Sequence, residues 1–136
     1  MGFDNFGTVS FTTEAKAVDF ITYLERGKFM TTRCRACGTP QFPPKMDCPH
    51  CLSSDVEWVE IKGTGKLATY TVVNYGPSGF EDDAPYTLAI ADFDGLRVFG
   101  RLSRAVSGAD IKVGMALKVV PLKLPDGKVS YEFQPV

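Results

Sequence analysis

Apolar and polar positions change rhythm along the chain. Between residues 14 and 26, Ala17, Phe20, Ile21 and Leu24 recur at i, i+3, i+4 and i+7, which draws one apolar stripe along a helix. Thr12 or Thr13 is placed to cap its start, Glu14 falls in the first turn, and Gly27 can close it in the left-handed conformation. A helix of about thirteen residues is marginal in isolation, so the stripe needs a surface to cover. Ahead of it, residues 1–12 show no period. They carry Phe3, Phe6 and Phe11, three large apolar side chains that need a surface on this chain or on a partner.

From Gly63 onward the rhythm becomes one of alternation. Residues 66–74 set Leu67, Thr69, Thr71 and Val73 against Ala68, Tyr70 and Val72. Residues 86–93 and 96–102 give two more strands, and Asp94-Gly95 between them is a two-residue hairpin signal. Residues 115–124 form a fourth strand, Pro125-Asp126-Gly127-Lys128 turns the chain, and residues 129–133 return as a fifth. Residues 103–114 connect the third and fourth strands with room for a short helical turn. Five short strands with strong turn signals fit a small barrel; the OB-fold is expected, with an SH3-like barrel as the alternative. The chain therefore reads as mainly β in three parts: an N-terminal arm and helix over 1–28, a cysteine module over 29–60, and a five-stranded barrel over 61–136.

The cysteine module carries the clearest chemistry. Cys34-Arg35-Ala36-Cys37 and Cys48-Pro49-His50-Cys51 are two CxxC knuckles, the spacing that offers four thiolates to one tetrahedral ion. Zinc is the expected metal, one per chain, and iron in a rubredoxin-like site is the other option. Two disulfides are disfavoured in a reducing compartment. Gly38 follows the first knuckle, where the chain favours a positive φ, and Leu52 occupies the same place after the second. Arg33, Arg35 and Lys45 stand near enough in sequence to offset thiolate charge. Cys51 completes the ligand set, which leaves His50 as an exposed knuckle residue. With four protein ligands the site is closed and has no place for an activated water, so its role is structural.

Composition narrows the function by exclusion. No apolar run approaches the ~20 residues of a membrane helix, and residues 1–10 lack a basic segment ahead of an apolar core, so a cytoplasmic protein without a signal peptide is expected. The net charge of −1 lacks the basic excess typical of chains that hold phosphate backbones. The sequence has four cysteines and one histidine, all within the knuckles, so no Ser–His or Cys–His pair can be drawn and no catalytic residue is assigned. Glu81, Asp82 and Asp83 read as a solvated loop. Gly63-Thr64-Gly65-Lys66 is followed by a strand rather than a helix and is a bend, not a phosphate cradle. The segment 74–85 is long for a connection between two strands. It carries Tyr75 and Phe80, candidates for contact with a partner or ligand.

Several pieces together resemble a zinc-ribbon/OB-fold family, long catalogued as a domain of unknown function, that is found beside thiolases. They are Cys34-Arg35-Ala36-Cys37-Gly38, Gln41-Phe42-Pro43-Pro44, Cys48-Pro49-His50-Cys51, Trp58, Gly63-Thr64-Gly65-Lys66-Leu67, Tyr70-Thr71-Val72-Val73, Pro85-Tyr86, Gly114-Met115 and Phe133-Gln134-Pro135. The resemblance covers roughly residues 14–136. Gln134 stands where the family commonly has arginine, and Leu52 where a small residue is usual. The resemblance implies an N-terminal helix, a rubredoxin-like zinc ribbon and a C-terminal OB barrel. It also implies an accessory role in a hetero-oligomer with a thiolase-fold catalytic subunit that acts on acyl-CoA, with no organic cofactor of its own and with CoA held mainly by the partner. Tyr75 and Phe80 are then candidate partner contacts. Arg97, Arg101 and Arg104 are candidate contacts to CoA phosphates, since arginine suits bidentate phosphate binding. A nucleic-acid-binding ribbon-plus-OB protein is the alternative, with Arg97, Phe99 and Arg101 on one strand face as its best support. A free-standing acyl-CoA carrier is a third reading.

Overall fold

A computed structural model of the chain describes residues 2, 5–7 and 16–136. The apolar stripe forms helix α1, Asp19–Glu25, and buries Phe20, Ile21 and Leu24. It is shorter than the stripe predicts. Residues 16–18 form a turn, and no side chain caps the start at Val18. The expected caps Thr12 and Thr13, and Glu14, lie outside the described residues. The C-terminal end follows the expectation. Gly27 has φ +80, its N–H donates to Leu24 O at 2.9 Å, and Lys28 N–H donates to Tyr23 O at 2.9 Å. That paired closure is the Schellman arrangement that a left-handed glycine permits.

The cysteine module is a three-stranded antiparallel sheet. β1 (Met30–Cys34) lies between β2 (Pro40–Gln41) and β3 (Val56–Glu60). Five further strands follow: β4 (Gly65–Val73), β5 (Tyr86–Phe93), β6 (Leu96–Arg101), β7 (Ala116–Lys123) and β8 (Val129–Pro135), in the order β6-β5-β4-β7-β8. Leu102 bridges Phe133 in parallel, and Ser103 N–H donates to Phe133 O at 2.8 Å. The first and last strands of the order are thereby joined into a nearly closed OB barrel. The hairpin turn falls at Asp94-Gly95, both with positive φ, and a 3-10 turn over Gly108–Asp110 lies in the β6–β7 connection.

Inside the barrel, Leu67, Ala89, Ala91, Phe93, Val98, Leu102, Ile111, Leu117, Val129 and Phe133 pack together. Gly100 is required by that packing, because a Cβ there would come within 2.9 Å of Tyr131 and 3.0 Å of Phe133. The alternation read for the first barrel strand is broken by a bulge between Leu67 and Thr69. Leu67 is buried, whereas Thr69, Tyr70, Thr71 and Val72 are all exposed. The reason is pairing: β4 follows β5 to Val73 but meets β7 only at Gly65 and Lys66.

Helix, ribbon and barrel converge on a cluster of rings. Phe29 lies 4.7 Å from Tyr131, 5.8 Å from Phe20 and 5.5 Å from Phe42, centroid to centroid. Phe6 packs on Phe20 at 6.0 Å and on Tyr131 at 6.2 Å, and Gly7 N–H donates to Val129 O. Phe6, half-buried, thus finds on the chain's own core a surface of the kind it needs. Phe3 and Phe11 lie outside the described residues. No helix among the described residues is long and apolar enough to cross a membrane.

Candidate metal centre

Each knuckle is a tight turn built the same way. At the end of β1, Cys34 N–H donates to Thr39 O at 3.0 Å and Gly38 N–H donates back to Cys34 O at 2.8 Å. In the second knuckle, Cys48 N–H donates to Ser53 O and Leu52 N–H to Cys48 O, both at 2.8 Å. The closing residue takes a left-handed backbone in both, φ +78 at Gly38 and φ +66 at Leu52. The turns point four sulfurs at one spot. All four Sγ atoms lie within 4.8 Å of one another, with Cys34–Cys51 at 3.5 Å and Cys37–Cys48 at 3.7 Å. A tetrahedral zinc with Zn–S of ~2.3 Å sets its sulfurs about 3.8 Å apart, so the donor set fits that ion.

The sulfurs are not equivalent. Cys34 and Cys48 are buried, and Cys37 and Cys51 are exposed. The Thr39 hydroxyl, 3.2 Å from Cys37 Sγ, and then the Thr39 backbone amide pull the Cys37 thiol down to about 5, and His50 and Cys48 add to the lowering. For Cys51 the Ser53 amide acts downward. The neighbouring Cys34 thiol, burial and the other two cysteines outweigh it and push the thiol up to about 12. Sulfurs this close cannot all be anionic without a cation among them, which is the task a divalent ion performs. His50 is exposed and is not one of the four clustered donors.

One expectation about the surroundings changes. Arg33 pairs with Glu57 at 3.3 Å and Arg35 with Asp55 at 3.2 Å, so both guanidiniums answer carboxylates on the β3 side instead of offsetting thiolates. Thr31 and Thr32, which are not among the candidates above, are almost fully buried. The Thr31 hydroxyl donates to Gln41 O, while the Thr32 hydroxyl both donates to Lys45 O and accepts from Lys45 N–H at 2.8 Å. Together they tie the inter-knuckle loop to β1. Two successive threonines just ahead of the first CxxC are the signal that could have found them.

Leu52 is 83% exposed while holding a backbone that an L side chain adopts at a cost of ~1–2 kcal/mol. Leu52→Gly is therefore expected to raise the stability of the zinc-loaded chain by about 0.5–1 kcal/mol, because strain is relieved and little apolar burial is lost. Thermal unfolding of the two proteins at equal zinc content checks this. A lower midpoint for the variant would mean that the leucine side chain holds the fold.

The remaining candidate residues separate into two groups. Tyr75 is 95% exposed and Arg97 is exposed, with no ion pair at Arg97 among the described residues. Phe80, Arg101 and Arg104 are engaged within the chain. Asp83 receives Arg101 Nη1 at 3.0 Å on one carboxylate oxygen and Arg104 Nη2 at 2.8 Å on the other. Arg101 also lies 4.3 Å over the Tyr86 ring, and Phe80 packs on that ring at 6.4 Å. Asp83 is thus not a solvated loop acid; it pins the 74–85 loop to β6 and the β6–β7 connection. Beside this latch runs a groove of about 600 Å³ whose walls include Phe80, Leu88, Phe99, Arg101, Arg104 and Tyr131. Burial raises the Tyr131 phenol well above its usual range, and its hydroxyl donates to Phe99 O at 2.6 Å.

Comparison with known proteins agrees with this architecture. Residues 22–57 match the model of the ChsH2 rubredoxin-like zinc ribbon domain, and residues 58–121 that of the ChsH2 C-terminal OB-fold domain. A DUF35 domain-containing scaffold protein of Methanocaldococcus jannaschii is 33% identical over 82% of this chain and 84% of its own. The benzoylsuccinyl-CoA thiolase subunit BbsA of Geobacter metallireducens is 28% identical over 76% of this chain and 72% of its own. Among solved structures, the Ltp2-ChsH2(DUF35) aldolase superposes with a TM-score of 0.76 at 27% identity, covering 92% of this chain and 98% of the matched one. The paired knuckles, the ribbon-then-barrel order and these matches place the chain in the DUF35 family, the ChsH2-type proteins that join a rubredoxin-like zinc ribbon to an OB-fold.

Proposed function

We propose that this chain is a zinc-stabilised, non-catalytic accessory subunit of a thiolase-superfamily complex that acts on acyl-CoA. The observation that carries the reading is the position of its thiols: every cysteine of the sequence lies in one closed four-sulfur cluster. A thiolase-type reaction needs a nucleophile and a base, and here a partner subunit supplies them. The similarity to a thiolase subunit and to a chain of an aldolase complex supports such a partner. In this reading Cys34, Cys37, Cys48 and Cys51 hold one zinc, arm and helix (1–28), ribbon (29–60) and barrel (61–136) form one cytoplasmic scaffold, and CoA is held mainly by the catalytic subunit.

The contact residues sort by availability. Tyr75 and Arg97 are free to meet a partner or a CoA phosphate, whereas Arg101 and Arg104 must first give up Asp83. The same engagement weakens the nucleic-acid reading, because the charge of Arg101 on the Arg97–Phe99–Arg101 face is already matched.

The purified chain is expected to catalyse neither cleavage nor condensation of acyl-CoA, and to co-elute with a thiolase-type subunit encoded beside it. Acetoacetyl-CoA thiolysis, followed with each protein alone and with both, tests this. Turnover by a rigorously partner-free sample, or a partner that neither binds nor responds, would overturn the assignment.

A further inference from the structure

β4 leaves an edge open. Its backbone pairs with β7 at Gly65 and Lys66, and Leu67 exchanges bonds with Met115 O and Gly114 N–H. Beyond Leu67 no backbone hydrogen bond is made on that side among the described residues, although β4 runs on to Val73. Six residues of free edge, about 20 Å at ~3.3 Å per residue, present unused N–H and C=O groups. Folded proteins normally blunt such an edge with charge, proline or cover. The other edges among the described residues obey that rule, including the β7 side facing β4, which carries Lys118, Pro121 and Lys123. β6 is closed onto β8, β3 carries Glu57 and Glu60, and β2 is two residues long and begins with Pro40. The β4 edge does not: between Lys66 and Glu81 the chain has no charged side chain. Around it stand Tyr70 (38% exposed), Val72 (47%), Tyr75 (95%) and Val113 (67%).

We infer that this edge is a dimer interface, in which β4 pairs antiparallel with β4 of a second copy about a two-fold axis at Thr71. The occupant is argued from self-complementarity. An axis at Thr71 sets Thr71 opposite its own copy, Tyr70 opposite Val72 of the second copy, and Thr69 opposite Val73 of the second copy. Tyr70 and Val72 are two residues apart and share a face, so the axis joins four exposed apolar side chains into one strip. Aromatic–β-branched and Thr–Thr are favourable cross-strand pairs. A neutral edge is also what identical strands need, because any charge near the axis would meet itself. The pairing makes one sheet running β6-β5-β4 through the axis into the same strands of the second copy. It does not depend on a catalytic subunit.

The test is sedimentation velocity of the zinc-loaded full chain over a concentration series. The wild type is expected to self-associate. Thr71→Lys and Thr71→Glu, each placing like charges face to face, are expected to weaken association by roughly tenfold or more. An equimolar mixture of the two is expected to restore it as a mixed dimer, which misfolded variants cannot do. A wild type that stays monomeric throughout overturns the proposal, as does a dimer that tolerates both charges. Protection of residues 68–73 from hydrogen exchange only when a thiolase-type subunit is added would also overturn it, by giving the edge to a different occupant.

Discussion

Cys34→Ser and Cys48→Ser are each expected to abolish stoichiometric zinc and to leave the ribbon unfolded. Structural zinc contributes an apparent ~10–16 kcal/mol, as much as the whole folding free energy of a typical domain, about 5–15 kcal/mol. Both residues are 1% exposed, so a serine there leaves a buried hydroxyl where the ion requires a thiolate. Cys37→Ser and Cys51→Ser lie on the exposed side, where water can reach the vacated position, and are expected to retain more structure at saturating zinc. Elemental analysis and circular dichroism of the four variants measure the ranking. Full zinc content in either buried-site variant would sink the four-cysteine assignment. Protons compete with the metal for sulfur, so zinc is expected to dissociate as pH falls and to be held as it rises. With the Cys51 thiol up to about 12 in the metal-free cluster, zinc uptake at neutral pH must expel that proton. Proton release in a weakly buffered titration reads this directly.

The second large effect is expected away from the metal. Phe29→Ala removes a ring that is 3% exposed and lies against Phe20, Phe42 and Tyr131 at once. A buried phenylalanine lost to alanine costs about 3–5 kcal/mol. Phe29→Leu keeps most of the volume and is expected to cost clearly less. Because Phe29 immediately precedes β1 and packs on β8, the loss is expected to fall on the joint between ribbon and barrel, with zinc content preserved. Denaturant unfolding of the zinc-loaded proteins gives the magnitude. A cost below about 1 kcal/mol for the alanine variant would show that helix and ribbon are held to the barrel by other contacts.

The contrast between zinc and ring cluster shows what was readable from the chain. Two CxxC spacings announce their ligands because ligation is local, and strand positions announce themselves through alternation and through turns such as Asp94-Gly95. All five barrel strands match their expected spans within two residues at each end. What the linear pattern hid was pairing at a distance. The bulge after Leu67 has no signature in a string of β-formers, and neither has the loss of β7 cover that leaves Thr69, Tyr70, Thr71 and Val72 exposed. Asp83 reads as one acid among three until β6 and its following loop bring Arg101 and Arg104 to the same carboxylate. Phe6 needs a surface that no neighbour in sequence supplies; Phe20 and Tyr131 provide it from a distance along the chain. Leu52 was legible as an anomaly: the knuckle repeat asks for a left-handed residue there, and the chain supplies one at the expense of strain.

The ring cluster also governs how force passes through the molecule. Tyr131 touches Phe29 at the foot of the ribbon with one end and donates to Phe99 O in β6 with the other. Pivoting the ribbon on residues 61–64 would withdraw Phe29 from that ring and expose it. The cluster therefore acts as a weld rather than a hinge, and a subunit gripping the zinc knuckles would orient the β6 face as one rigid lever.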